Sequence, residues 1–494
     1  MPWPRLACPR RQTQPRHSRP ICSALCAVFL LFGAVAASGQ PLRAAAGQQL
    51  PAAELQRREV HRRAVEALIW GVPAVNFELL YDGMAQAGAG WNQIVYWSRL
   101  PDWKNQTLTP NPDVIYLMPF YDTRGGPVVL EIPPAAADAS ITGSIDDGWQ
   151  TALEDVGPAG VDKGKGGKYL ILPPGYKDAV PGGYIALPSS TYAGYALLRS
   201  NVASSSSADI AKAVAYARGI RIYPLVQAAN PPATRFVDAI DTVYDSTIPY
   251  DLRFYERLHR FVQREPWIER DKAMIDLLKS IGIERGKPFA PSAQLQETLR
   301  DAADEGRAWL DARYDAAFAQ TYFASSRWAV PSSPEVLEGL GNNYAAPDRY
   351  PTGNRGVMYT FGFFSAKHLG QGQFYLFTIR DRGGQPLDGS GSYRLHVPPK
   401  APVRLYWSAT AYDRATHALI RDQARASRAS TSEGLQKNAD GSVDLYFGPS
   451  APRGTESNWI PTREGAGFEV LFRLYGPEQP LFDKSWQLPD IEKQ

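Results

Sequence analysis

Short apolar runs closed by proline- and glycine-rich turns fill two stretches of this sequence, one before residue 200 and one after residue 355. A run of five to eight residues is too short for a stable helix and suits a strand, and a strand must pair with others before it can bury one face. Each stretch therefore calls for sheets of its own. In the first, strands are expected over Val114–Tyr121, Pro127–Ile132, Ser140–Ile145, Lys168–Leu172, Tyr184–Leu187 and Tyr192–Arg199. Pro173-Pro174-Gly175 and Pro181-Gly182-Gly183 are turn signals between them. In the second, the expected strands are Val357–Phe364, Phe374–Arg380, Ser392–Val397, Val403–Tyr412, Ser442–Gly448 and Phe468–Tyr475. Glycine (42) and proline (41) together are about 17% of the 494 residues, above the usual share of about 12% and in keeping with many turns.

Helical patterns occupy the rest. Ala52–Trp70 is expected to end at Gly71-Val72-Pro73, with a second helix over Pro73–Ala87. Between the β stretches, Ser206 with Asp209 opens a short helix as a capping box would. Asp251–Arg264, Glu265–Ile281 and Ser292–Phe318 follow. The expected class is α+β and β-dominated. Residues 40–50 form a flexible lead, 51–205 a helical lead-in with a first β-sandwich, 206–330 a helical region and 331–494 a second β-sandwich.

Residues 1–39 have a different character. Arg5, Arg10, Arg11, Arg16 and Arg19 precede the apolar run Ile21–Ala37, and small residues close it, which is the pattern of a secretory signal peptide. Cleavage near Ala36–Gly39 would release a periplasmic or secreted protein with no stable membrane span. All three cysteines, Cys8, Cys22 and Cys26, would leave with that segment. The formal charge of +3 would change as well, because 48 basic residues would then face 50 acidic ones, a charge of −2. Such a chain has neither thiolate chemistry nor the basic footprint of a nucleic-acid binder.

Catalytic signatures are sparse. The five histidines after residue 39 (His61, His259, His368, His396 and His417) form no H-E-x-x-H pattern, so no metal or other cofactor is expected, with His368 the first choice if one histidine is functional. No G-x-S-x-G elbow occurs. The Gly/Lys-rich run 160–168 lacks both the phosphate-loop spacing and a following helix. Carboxylates stand out more. Asp146 and Asp147 precede Gly148-Trp149, Glu154 and Asp155 follow, and Asp113 sits directly before an expected strand. Paired carboxylates can do acid–base work when their environments separate their pKa values. Asp at turns and strand starts also bonds its own backbone. Asp113, Asp146 and Asp147 are therefore the catalytic candidates. Aromatic faces at Tyr116, Trp149 and Trp459 suit sugars or apolar ligands, and equally suit a core.

These residues carry a resemblance. Thr109-Pro110-Asn111-Pro112-Asp113-Val114-Ile115-Tyr116, Gly157-Pro158-Ala159-Gly160 and Tyr192–Arg199 resemble domain of unknown function 1254. Tyr406-Trp407-Ser408-Ala409-Thr410-Ala411-Tyr412-Asp413, Asp440-Gly441-Ser442, Ser457-Asn458-Trp459-Ile460-Pro461 and Phe468–Gly476 resemble domain of unknown function 1214. The chain is similar to bacterial proteins that pair the two. The resemblance implies an immunoglobulin-like β-sandwich first, a jelly-roll β-sandwich second, and helices between. It leaves room for a homo-oligomer and assigns no catalytic residue.

Two function classes follow. One is an exported protein that binds a polar or glycan-like small ligand between the sandwiches, through Tyr116, Trp149, Arg199, Asn458, Trp459 and Arg463. The other is a carboxylate-dependent hydrolase or lyase of the cell envelope. It would use Asp113 or Asp146 and Asp147, with Arg199 or Arg463 holding an anionic substrate. Convergence of these side chains on one site is the criterion that separates the two.

Overall fold

The structure, a computed structural model, describes residues 50–494 except 137–138, 363–365 and 369–371. The expected signal peptide and most of the lead after it lie outside the described residues. Within them the chain is α+β, with eight α-helices and several β-sheets.

The first helix, Ala52–Gln86, runs unbroken through Gly71-Val72-Pro73. The expected break there is wrong, and burial explains why. An interior proline costs roughly 3 kcal/mol. Leu68, Ile69, Trp70, Val72, Val75, Phe77 and Leu80 around Pro73 are all buried, and each such side chain returns about 1.5–3 kcal/mol. Gly71 permits close packing at this point: a Cβ there would stand 3.1 Å from Leu258 Cδ1.

The first β-region holds two sheets. Six strands lie in the order Phe236–Asp238, Gln93–Tyr96, Ile115–Asp122, Ala193–Ser200, Ile141–Asp147, Ala152–Val156. Four more lie in the order Arg221–Pro224, Val128–Ile132, Gly167–Leu172, Ile185–Pro188. Most pairs are antiparallel, but Gln93–Tyr96 with Phe236–Asp238 and Gly167–Leu172 with Ile185–Pro188 are parallel. Alternation sorts the six-stranded sheet into two faces. Leu117, Ile145, Ala196 and Leu198 share a core with Val128, Leu130 and Ile171 of the four-stranded sheet. Tyr116, Met118, Phe120, Tyr195 and Leu197 face the other way, into a core with Phe77, Leu80, Phe254 and Phe261 of the helices.

Caps fix the helical part. Ser206 accepts from Asp209 N ahead of Ser207–Ala217, Asp251 from Arg253 N ahead of Leu252–Arg264, and Ser292 from Leu295 N ahead of Ala293–Ala317. The helix expected over Glu265–Ile281 shrinks to Lys272–Leu278 between 3-10 turns. Glu265 is extended ahead of Pro266, and Gly282, at φ +83°, ends the turn that follows. Two helices, Pro334–Asn342 and Thr352–Phe361, lie beyond residue 330. The second occupies the start of the strand expected over Val357–Phe364. Its β-branched and aromatic residues favour a strand, but Gly356 packs within reach of the Ile69 backbone and Val357–Phe361 is buried on the first helix. Tertiary packing overrides the local preference.

The second β-region has two four-stranded sheets. One runs Gln373–Thr378, Phe468–Pro477, Val403–Asp413, Ser427–Ala429, and the other Trp459–Pro461, Val443–Gly448, Tyr393–Val397, Glu492–Lys493. The first of these is two-faced. Phe468, Val470, Phe472, Leu474, Trp407, Ala409 and Leu376 join Leu395, Val397, Leu445 and Phe447 of the second sheet in one core. The opposite face presents Glu469, Arg473 and Tyr475 beside Tyr406, Ser408, Thr410 and Tyr412. That polar face meets the Thr109–Asp113 segment of the first β-region.

Candidate functional site

Thr109–Asp113 enters the contact as a rigid, proline-flanked loop. Thr109 takes a left-handed backbone, φ +38°, which its surroundings hold in place. Its N–H donates to His417 O at 2.6 Å and its hydroxyl to Phe361 O at 2.7 Å. Asn111 is the knot. Its backbone N–H donates to the Tyr116 hydroxyl at 2.8 Å, and its Oδ1 accepts from Asp113 N at 3.0 Å. Its Nδ2 donates across to Tyr475 at 2.7 Å and Tyr406 at 3.1 Å. Those two rings stack with centroids 4.4 Å apart.

Arg473 ties the same loop from below. It donates to Thr410 Oγ1 and Thr109 O, both at 2.9 Å, and to the Tyr412 hydroxyl at 2.5 Å. Tyr412 in turn donates to Pro110 O at 2.6 Å. A buried arginine bound this fully satisfies carbonyls that no strand partner reaches.

Asp113, Arg199, Tyr375 and Arg428 at this seam are only half-buried. Asp113 Oδ1 accepts from Ser427 Oγ at 2.8 Å, while its Oδ2 is enclosed without a hydrogen-bond partner. Burial pushes the Asp113 carboxyl up, against the opposing pull of Ser427 and Arg473. Arg199 sits across the sheet from Tyr116, its guanidinium 5.5 Å from the ring centroid. No described carboxylate lies within ion-pair distance of it, and its Nε has no hydrogen-bond partner. Burial and the neighbouring Arg425 bring the Arg428 pKa down to about 10, with Asp113 opposing.

The other candidates lie elsewhere. Asp146 and Asp147 end the strand Ile141–Asp147, with Asp146 opposite Tyr195 and Thr142 opposite Arg199. Four residues of strand put them about 13 Å along the sheet from Arg199. Asp147 Oδ1 accepts from Trp149 N at 2.9 Å and Thr151 N at 2.8 Å, and Oδ2 from Ser190. It organises a turn. Asp146 is fully buried. Trp149 packs against Trp70 at 4.7 Å and Phe261 at 4.9 Å as a core side chain. Asn458 spends its amide on Gln436 N, Gln436 O and Asp444 O. Trp459 Nε1 donates to Gly448 O at 2.9 Å, and Arg463 pairs with Asp413 at 2.7 Å. His368 contacts Glu154 at 2.9 Å, away from the seam. Among the described residues no group of three His, Cys, Asp or Glu side chains is placed to hold a metal ion.

The structure therefore places Arg199 over Tyr116, ties Tyr116 through Asn111 to Asp113, and separates these from Asp146, Asp147, Trp149, Asn458, Trp459 and Arg463. Sequence reasoning missed Asn111, Tyr375, Arg428, Arg473 and Tyr475 as site residues. For Arg473 a signal was present: a lone arginine inside a strand that is otherwise nearly continuous apolar sequence.

The fold and the seam define a protein of two β-regions clasped through tyrosine and arginine. Residues 91–224 match the model for the protein of unknown function DUF1254, and residues 372–479 match DUF1214. The two matches lie in that order, from N-terminus to C-terminus. The VPA0106 protein of Vibrio parahaemolyticus has a similar fold, at 18% identity and TM-score 0.54, over 88% of this chain and all of that one. An uncharacterized protein from Burkholderia cenocepacia aligns at 10% identity and TM-score 0.37, over 89% of this chain and 95% of that one. No curated protein matches the sequence.

Proposed function

We propose that this chain is an exported protein that binds a polar or glycan-like small molecule at the seam between its β-regions. The carrying observation is that Asp113 Oδ2, Arg199 Nε and Arg428 Nε at this seam are enclosed without protein hydrogen-bond partners, with Arg199 lying over the Tyr116 ring. Unmatched polar groups at a half-buried site are what a ligand satisfies. In this reading the N-terminal segment is removed near Ala36–Gly39 and the protein works in the periplasm or outside the cell. The first pair of sheets is taken as immunoglobulin-like. The second, with four strands on each side, is taken as a jelly roll. A glycosidase-type hydrolase would need a second carboxylate roughly 5–10 Å from the first, and the Asp146–Asp147 turn lies further along the sheet, which favours binding over hydrolysis.

The test is a thermal-shift screen of sugars and hydroxylated small molecules on the purified chain, repeated with Tyr375→Ala. A compound that raises the melting temperature of the wild type and not of the variant supports the reading. A shift that survives Tyr375→Ala and Arg199→Gln alike puts the ligand elsewhere and sinks it.

A further inference from the structure

Many half-buried arginines in this molecule are paired with carboxylates. Arg257 meets Asp82 at 2.9 Å, Arg264 meets Glu265 at 2.8 Å and Arg421 meets Asp245 at 2.6 Å. Arg199 is not paired in this way. It has an aromatic face beneath it and no described carboxylate beside it. Its neighbour Arg473 is also without a carboxylate partner, but its donors are committed to Thr410, Thr109 and Tyr412. Asp113 is the carboxylate that faces Arg428 and Arg473, whereas the groups that face Arg199 are the tyrosines Tyr116, Tyr375 and Tyr475. A cation held out of water without a counter-ion is costly. The ring of Tyr116 offsets part of that cost.

Resting on the binding function proposed above, we infer that the ligand is a small organic monocarboxylate, such as a sugar acid, whose carboxylate pairs with Arg199. The planar guanidinium matches a planar carboxylate with two parallel hydrogen bonds. A single carboxylate supplies the one counter-ion that Arg199 lacks. Tyr375, half-buried at the same seam, is one of the groups that face Arg199.

Isothermal titration tests this on the purified chain. The probes are glucuronate, galacturonate, gluconate and 4-hydroxybenzoate, each beside its uncharged counterpart (glucose, galactose, sorbitol and 4-hydroxybenzyl alcohol), with inorganic phosphate as a further arm. At least one carboxylate should bind roughly 100-fold more tightly than its counterpart, the scale of a charge-assisted pair. Arg199→Gln should remove that preference, Arg199→Lys should restore only part of it, and neither should lower the melting temperature of the unliganded protein. If an uncharged counterpart binds as well as its acid, or phosphate binds in place of every carboxylate, the carboxylate assignment is overturned while the seam still binds. If no probe of any kind binds, the binding function falls with it.

Discussion

Asp113 and Asp147 flank strands of the same six-stranded sheet, and their surroundings make opposite use of one functional group. Every oxygen of Asp147 is engaged within its own neighbourhood, by Trp149 N, Thr151 N and the Ser190 hydroxyl. Asp113 has one oxygen engaged by Ser427, from a strand more than 300 residues away in sequence, and one engaged by nothing. The first carboxylate closes a turn. The second lies at the meeting of two regions where the protein has not completed its own hydrogen bonding. A carboxylate beside a tryptophan in sequence is therefore a poor guide to function, whereas incomplete satisfaction at a half-buried site is a better one.

Four measurements can break or sharpen this contrast. The largest effect is expected at Asp147. Asp147→Ala strands two buried N–H groups and should lower unfolding free energy by about 3 kcal/mol in a denaturant titration, whereas Asp113→Ala should cost under about 1 kcal/mol. Equal losses would erase the distinction. Asn458→Ala should behave like Asp147→Ala, with a loss of about 2 kcal/mol, because its amide serves backbone groups. A smaller effect is expected for Tyr475→Phe, which removes one acceptor of Asn111 Nδ2; about 1 kcal/mol should be lost while the ring stack stays.

The smallest effect is a pH dependence. Because burial raises the Asp113 carboxyl above its unfolded value, the folded protein holds that proton more tightly. The stability tied to this group is complete below the unfolded pKa and is lost as pH rises through the folded one. Asp113→Asn should therefore gain on the wild type between acidic and neutral pH and not below that range. A gap that stays constant with pH would show that Asp113 does not titrate in this way.

Much of the β architecture was legible because alternation and Pro/Gly punctuation are local. The strands at Ile115–Asp122, Ala193–Ser200, Val403–Asp413 and Phe468–Pro477 fall within two residues of their expected ends. The break at Pro73 and the strand at Val357 were misread for one reason: both segments are buried against partners remote in sequence, and local preference gave way. The seam was half legible. Asp113, Tyr116 and Arg199 could be named from the first β-region alone. Asn111 bonds to a tyrosine 364 residues further on, and no local pattern announces a contact at that separation.

The Asn111–Tyr475 and Arg473–Thr109 bonds bear on inheritance. A gene fragment encoding residues 91–224 alone would keep Asn111 and lose both of its cross-seam acceptors. A fragment encoding 372–479 alone would keep Arg473 and expose it on a sheet face with no carbonyls to bind. Recombination that separates the halves would leave two damaged surfaces, and substitutions on one side constrain those tolerated on the other. The pairing of the two domains then has a mechanical cause, and over long times the halves should be gained, lost and altered as one unit.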